Sequence, residues 1–346
     1  MSSNCKFTKS FHSKTKYITF AGNKSERQME KSGWAVIVNP KAGSGRGLAD
    51  WPVISNAMFR SGLEFVCYFT EHKYHTVELT VSAVKDGYRK IVAVGGDGTL
   101  HEVVNGIFLQ QYVPADSITI GVIPTGTGND RARGAGLHSG YAGAIKALCE
   151  CNTKLQDAGV AEYTESGVRH TRYIVNAAGA GFVALVNSKY NWLKDEGKRG
   201  RWLYFYSKIA SLFRYRAGRY VIKEDGKRVF KGRLFVASAG IGVYSGGGLI
   251  ALPDALFDDS LFDLLVVRMT WRLRLMFLMK ELQKGNGLKS RKVLRIKASE
   301  IVIESYPGGK VEMDGEALGF LPVRLKIIPK ALRFVELSTE GQHRQQ

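Results

Sequence analysis

The sequence predicts an α/β domain, with a parallel sheet between helices in three layers, followed by a mostly β domain. Three observations carry this expectation. The 346 residues exceed one domain of roughly 150 residues. From Trp34 to about residue 150, short apolar runs alternate with helical segments, the rhythm of a parallel sheet with crossover helices. Beyond about residue 155 the pattern becomes short strands bounded by glycine and charged turns.

Taken in order, "WAVIV" reads as a buried strand that ends in the glycine-rich basic turn "NPKAGSGRG". Residues about 48–61 read as a helix, "EFVCYF" as a strand, and about 74–87 as a helix. "KIVAV", "LHEVVNGIFL", "ITIGVI" and "YAGAIKALCE" continue as strand, helix, strand and helix. The second part offers "RYIVNAAG", "RYVIKED", "RLFVASAG", "LFDLLVV", "VLRIKAS", "IVIES" and "VRLKIIP" as strands. Helical segments interrupt them near 186–213 and 270–284. The expected division is an extension over 1–31, an α/β domain over 32–160, a β domain over 161–338 whose last strand returns to the first domain, and a tail over 339–346.

Composition narrows the function. Hydrophobic content of 45% allows a sizeable core, and a net charge of +19 points to an anionic partner. Cys5, Cys67, Cys149 and Cys151 form neither a CxxC pair nor a cluster with histidines, which argues against zinc and disulfides and for a reducing, cytoplasmic setting. No apolar run reaches the ~18 residues of a membrane span, and the polar, basic N-terminus lacks a secretory apolar core.

Three glycine-rich turns fall at strand ends, where open α/β sheets bind ligands. They are Asn39 to Gly45, Gly95-Gly96-Asp97-Gly98-Thr99, and Pro124 to Asp130 with Gly126, Thr127, Gly128 and Asn129. Glycines admit a phosphate chain to backbone N–H groups and to a helix N-terminus. A carboxylate beside phosphates needs a cation between them, so Asp97 points to a magnesium nucleotide. The turns are neither a Walker A loop nor a GxGxxG fingerprint. Near the other end, Asp314-Gly315-Glu316 reads as a hairpin turn.

"NPKAGSG", "VGGDGTLHEVVNG", "IPTGTGNDRARG" and "MDGE", in this order, resemble the diacylglycerol kinase catalytic-domain superfamily, which also holds sphingosine and ceramide kinases. The likeness runs from about residue 34 to 338. It implies an ATP-binding α/β domain joined to a β-sandwich, with ATP and lipid meeting between them. It places Asn39, Thr70, Gly95, Gly96, Asp97, Gly98, Thr99, Leu100, His101, Glu102, Gly126, Thr127 and Asn129 at ATP, Asp97 beside Mg²⁺, and Glu316 as general base. Leu256, Asp259 and Leu261 match a family loop that holds a structural divalent ion, although Asp258-Asp259-Ser260 stands where Asp-Asp-Gly is usual. A second departure follows "NAAGAGF": Phe182-Val183-Ala184-Leu185 supplies no acid before Asp195, which weighs against a sphingoid base.

The implied reaction is ATP- and Mg²⁺-dependent phosphorylation of a lipid hydroxyl, with diacylglycerol giving phosphatidic acid. A sphingoid or ceramide-like acceptor is the alternative, and a non-catalytic lipid-sensing regulator the rival outside enzymes. An NAD kinase fits "PTGTGND" and "DGE" less well. Residues 189–233 carry 14 Lys or Arg against four acids, with aromatics interleaved, and 268–298 carry ten against one. Such segments fit peripheral docking on an anionic membrane. Nothing resembles a nucleic-acid-binding signature. A homodimer is left open.

Overall fold

The structure is a computed structural model that describes residues 17–20, 30–137, 140–198, 202–283 and 290–337. Most of the expected extension over 1–31, the tail over 339–346 and Cys5 lie outside the described residues. Within the extension, Tyr17–Phe20 forms strand β1.

The first part contains β2 (Trp34–Val38), α1 (Ala42–Ala49), α2 (Trp51–Arg60), β3 (Phe65–Phe69), α3 (His75–Lys85), β4 (Lys90–Gly95) and α4 (Asp97–Leu109). β5 (Thr119–Pro124), α5 (Asp130–Gly134) and α6 (Tyr141–Glu150) complete it. The strands pair in the order β3-β2-β4-β5, all parallel, and β1 adds antiparallel to β3. Successive residues of β2 serve opposite faces. Trp34, Val36 and Val38 pack with α2 and α6, whereas Ala35 and Ile37 pack with α3 and α4. A strand covered on both sides needs apolar residues at every position, which "WAVIV" supplies. The helix expected over 48–61 is broken at Asp50, and α1 opens with Gly43, Ser44 and Gly45 at φ 58°, 62° and 98°. This segment is a glycine turn that leads into a helix.

The second part contains β6 (Thr153–Glu165), β7 (Val168–Ile174), β8 (Ala177–Gly181), α7 (Phe182–Asp195), α8 (Trp202–Arg214), β9 (Arg219–Glu224) and β10 (Lys227–Gly240). β11 (Tyr244–Ser245), β12 (Leu249–Ile250), β13 (Phe262–Arg268), α9 (Arg272–Gln283), β14 (Val293–Ala298), β15 (Glu300–Tyr306), β16 (Lys310–Met313) and β17 (Glu316–Val335) follow. The helix expected over 186–213 is two helices, because Gly197 at φ 78° closes α7. The strand expected at "RYIVNAAG" is likewise interrupted. The backbone N–H groups of Val175, Asn176 and Ala177 turn from the ladder to the Asp314 carboxylate.

The twenty-residue β17 links both parts. It pairs antiparallel with β6 from Phe320↔Thr164 to Val335↔Thr153 and runs parallel to β5 at Arg333↔Thr119. Among the described residues, a fifteen-stranded hydrogen-bonded assembly results. The core of the second part lies between its strands, around Phe230, Phe262, Ile301 and Val323. A further cluster packs α7, α8 and α9 against β10 and β13.

Candidate active site

The three glycine turns meet at the carboxyl ends of β2, β4 and β5 and form one wall of a cleft of about 560 Å³. They touch backbone to backbone. A Cβ on Gly126 would lie 2.4 Å from Gly96 Cα, and one on Gly43 would lie 2.0 Å from the Thr125 carbonyl oxygen. Side chains lock the turns together. Asn39 Nδ2 donates to Thr99 Oγ1 at 3.0 Å, Asn129 Nδ2 to the Gly126 carbonyl at 3.0 Å, and Arg46 Nη2 to the same carbonyl at 2.5 Å. Gly96 caps α4, so the free N–H groups and positive end of a thirteen-residue helix face the cleft.

Asp97 stands at that helix start. Its Oδ1 accepts the Asp130 N–H at 2.7 Å. Burial, and then the neighbouring Asp130 carboxylate, push the Asp97 carboxyl up to about 7. Asp130 is raised too, chiefly by burial, although its oxygens accept the N–H groups of Gly247 and Gly248 at 3.0 and 2.5 Å. The residues Gly246, Gly247 and Gly248 belong to the second part, so Asp130 also ties the two parts together.

The opposite wall carries Glu316. Asp314 and Gly315 adopt φ 47° and 87°, the positive pair of a two-residue type I′ hairpin between β16 and β17. Asp314 is saturated: besides three backbone N–H groups, its Oδ2 accepts from His101 Nδ1 at 2.8 Å, with both side chains buried. Asn191 Nδ2 donates to the Gly315 carbonyl at 3.2 Å, and Glu312 Oε2 accepts both Asn187 Nδ2 and the Gly315 N–H at 3.0 Å. Held this way, the turn aims Glu316 into the cleft. Its Oε1 lies 3.5 Å from where a Cβ on Gly98 would stand, next to Asp97, and Lys73 Nζ is 3.7 Å from Oε2.

The cleft is lined by Asn39, Thr70, Gly96, Asp97, Gly98, Thr99, Glu102, Gly126, Thr127 and Glu316. Leu100 and His101, read from sequence as nucleotide contacts, are not. One turn into α4 they point away: Leu100 packs against α3 and the sheet, and His101 reaches Asp314 213 residues on. The helical period, which places 98, 99 and 102 on one side, carried that signal. Gly95 and Asn129 sit behind the cleft wall and shape the turns.

The structure adds residues that the motifs did not single out. Asp130 lines the cleft within a quoted motif, and Lys73 follows Thr70 on the same loop. Glu312 lies wholly buried beside Gly179, and burial pushes it up to about 8. No acid was expected in that region; β16 delivers one from 133 residues away in the chain. Tyr204 of α8 lines the cleft, and burial lowers the ammonium of Lys208 one turn further along the helix. Among the described residues, His72, His75 and Glu78 also gather ligand atoms within 4.8 Å. His75 Nδ1 already accepts the Glu71 N–H, which leaves the proton on Nε2 and no lone pair for a metal.

The loop matched to a structural ion looks different. Asp259 Oδ2 meets Lys297 Nζ at 2.6 Å, and that ammonium also lies 3.3 Å from Asp263. Leu261 offers its N–H to Asp259 Oδ1 at 3.2 Å, Ser260 adopts φ 63°, and Leu256 is exposed. As placed, the site holds an ammonium where a divalent ion would bring its charge, so Leu256, Asp259 and Leu261 do not fit an ion without displacing Lys297.

An anion cradle on one part and a turn-borne carboxylate on the other divide donor from acceptor, and that division defines a phosphotransferase of the kinase class. Comparison with known proteins agrees. Residues 33–161 match the family described as the diacylglycerol kinase catalytic domain. Residues 176–336 match the YegS C-terminal NAD kinase beta sandwich-like domain. A diacylglycerol kinase of Staphylococcus haemolyticus (strain JCSC1435) is 30% identical over 83% of this chain and 83% of its own length. One of Staphylococcus aureus (strain MRSA252) is 29% identical over 83% and 87%. The crystal structure of a diacylglycerol kinase from Bacillus anthracis str. Sterne shares the fold at TM-score 0.64 and 21% identity, covering 88% of this chain and 97% of that one. The chain belongs to the diacylglycerol kinase catalytic-domain family of lipid kinases.

Proposed function

We propose that this enzyme transfers the γ-phosphate of magnesium-bound ATP to the free hydroxyl of diacylglycerol, giving phosphatidic acid and ADP. The observation that carries the reading is Glu316 across the cleft from the Asp97 turn, with its Oε1 3.5 Å from the Cβ position of Gly98. ATP fits the first wall for reasons of space and charge. Backbone approaches that no side chain permits line it, and the N-terminal end of α4 opens onto it. Mg²⁺ fits because Asp97 and Asp130, buried side by side, repel one another as anions. The ion would sit at Asp97 and neutralise phosphate charge during transfer.

Thr70, Thr99 and Thr127, with the N-terminal N–H groups of α4, bind and orient the triphosphate. Glu316 takes the proton from the acceptor hydroxyl as its oxygen attacks phosphorus. Asp314 cannot serve in that role, since four donors occupy its oxygens. The Lys73 ammonium, 3.7 Å from Glu316 Oε2, adds positive charge at the transfer site. A cytoplasmic enzyme at the membrane surface suits this acceptor, and among the described residues no helix is long and apolar enough to cross a bilayer.

One observation bears on a sphingoid-base acceptor. Glu312 is an acid on the lipid-side wall. However, its elevated pKa of about 8 leaves it neutral at pH 7, and its Oε2 is occupied. It is therefore no ready partner for an ammonium group, and diacylglycerol remains the favoured acceptor.

The test uses labelled ATP and mixed micelles of diacylglycerol, sphingosine or ceramide. Phosphatidic acid should be the major product, and Glu316→Gln should lower turnover by ~10²–10⁴-fold with ATP affinity unchanged. Near-normal turnover in that variant removes Glu316 as the base, and a labelled sphingolipid product would replace the acceptor.

A further inference from the structure

Glu312 is placed for more than holding the catalytic turn. It is only 3% exposed, yet it lines the cleft with Asn187 of α7 and Tyr204 of α8. Helix α8 turns Leu203 and Tyr204 to the cleft, whereas Trp202, Phe205 and Phe213 face outward. The register of β16 sets Glu312 opposite Gly179 of β8 and Met313 opposite Glu316 of β17. The Gly315 N–H donates to Glu312 Oε2, and Glu316 is the next residue. Two carboxyl groups therefore share one turn on the acceptor side of the cleft.

Hydrogen bonding assigns each oxygen of Glu312 its part. Oε2 accepts Asn187 Nδ2 and the Gly315 N–H, both at 3.0 Å, which occupies its two lone pairs. Burial raises the acid to about 8, so it holds a proton at pH 7. An acid whose one oxygen already takes two donors carries that proton on the other, which makes Oε1 an O–H donor. Oε1 lies over β8, where a Cβ on Gly179 would stand 2.5 Å away, so the missing side chain makes its room. Among the described residues, the hydrogen bonds of Glu312 end on Oε2. A donor shielded from bulk water needs an acceptor, and the open side of this residue is the cleft.

We propose that Glu312 reads the acceptor lipid: its Oε1–H donates to the ester carbonyl oxygen beside the free hydroxyl of diacylglycerol, while Glu316 takes the hydroxyl itself. This deepens the diacylglycerol reading above and rests on it. The contact is selective by chemistry. An ester carbonyl is an uncharged acceptor with two lone pairs, the complement of a neutral O–H. An ether-linked chain presents only a weaker ether oxygen at that place. An ammonium group presents donors alone and meets another donor.

Kinetics of the full chain in mixed micelles test the contact by comparing 1,2-diacylglycerol with 1-acyl-2-alkylglycerol, in which an ether replaces the ester next to the hydroxyl. The wild type should use the diester with a kcat/KM ~10-fold or more above that of the ether lipid. Glu312→Gln keeps a donor at the place of Oε1 and an acceptor at the place of Oε2, and should keep the preference. Glu312→Met removes the donor and should bring the ratio of the two lipids close to one. Because it also frees the Gly315 turn, its turnover of both lipids should fall, so the ratio and not the rate reports the contact. A role confined to holding the turn would lower both lipids alike and leave the ratio as in the wild type. Calorimetric titration with ATP checks that Glu312→Met folds. Should it fail to bind ATP, Gly179→Ala serves instead, since its methyl would displace Oε1 and should lower the same ratio. Equal use of the two lipids by the wild type, or a preference that survives loss of the donor, overturns the proposal and leaves the diacylglycerol reading intact. An ATP-binding wild type that phosphorylates neither lipid overturns the diacylglycerol reading and this contact with it.

Discussion

Gly126→Ala should separate the two phosphate turns, and its cost follows from the geometry. The new methyl would stand 2.4 Å from Gly96 Cα and 2.6 Å from Asn129 Oδ1, where ordinary contact begins near 3.4 Å. The Gly96 neighbour is backbone and cannot rotate away, so the turns must part by about 1 Å. In a site where phosphorus and hydroxyl must meet in line, a ~1 Å misplacement costs ~10²-fold, or about 2.7 kcal/mol of barrier. Overpacking also lowers folding stability by about 1–3 kcal/mol. The comparison is Gly143→Ala in α6, where nothing lies within 4 Å of the added methyl. It should leave kinetics unchanged and gain about 0.5–1 kcal/mol of stability from helix propensity. Steady-state kinetics in ATP at saturating micellar diacylglycerol, with calorimetric titration of nucleotide, measure both variants. Gly126→Ala with the wild-type kcat/KM for ATP would refute the view that touching glycine turns set the phosphate site.

Three further outcomes are expected. Glu312 has a folded pKa of about 8, above its usual 4.5, so the native state keeps a proton that the unfolded chain has already lost. Stability therefore declines as pH rises from about 4.5 to 8, and Glu312→Gln should flatten that decline by roughly 2–4 kcal/mol, read as Tm across pH 5–9. His101→Ala removes one of the Asp314 donors in a buried pair, should cost about 1–3 kcal/mol, and should lower kcat more than it raises KM for ATP; an effect on KM alone would return His101 to the nucleotide. Lys297→Met leaves Asp259 and Asp263 facing each other, so it should lower Tm and make Tm respond to millimolar Mg²⁺ or Ca²⁺, whereas the wild-type Tm should not respond; an ion-dependent wild type would place a divalent ion on that loop.

Much of the site was legible because its parts are local. The glycine turns of the first part follow buried strands within a few residues, and their spacing alone announces an anion cradle at one sheet end. Asp97 and the Asp314-Gly315 hairpin are similarly written in adjacent residues. Helix breaks were harder. The stretch near 186–213 keeps its apolar period through Gly197, where a positive φ ends α7. "RYIVNAAG" looks like one strand until a carboxylate from far along the chain claims three of its N–H groups.

The sequence by itself determined most of the order of strands and helices, the three glycine turns at the strand ends, and the Asp314-Gly315 hairpin turn that precedes Glu316. Each depends on contacts between near neighbours in the chain, such as backbone freedom, period and turn type. Tertiary structure alone decided that His101 serves Asp314 rather than ATP, that Glu312 and two asparagines of α7 hold the turn of Glu316, and that α8 shows its aromatics to the outside. Those outcomes depend on which face each element turns to partners more than a hundred residues away. That choice is made by packing, when β17 crosses both parts and brings the two walls of the cleft together.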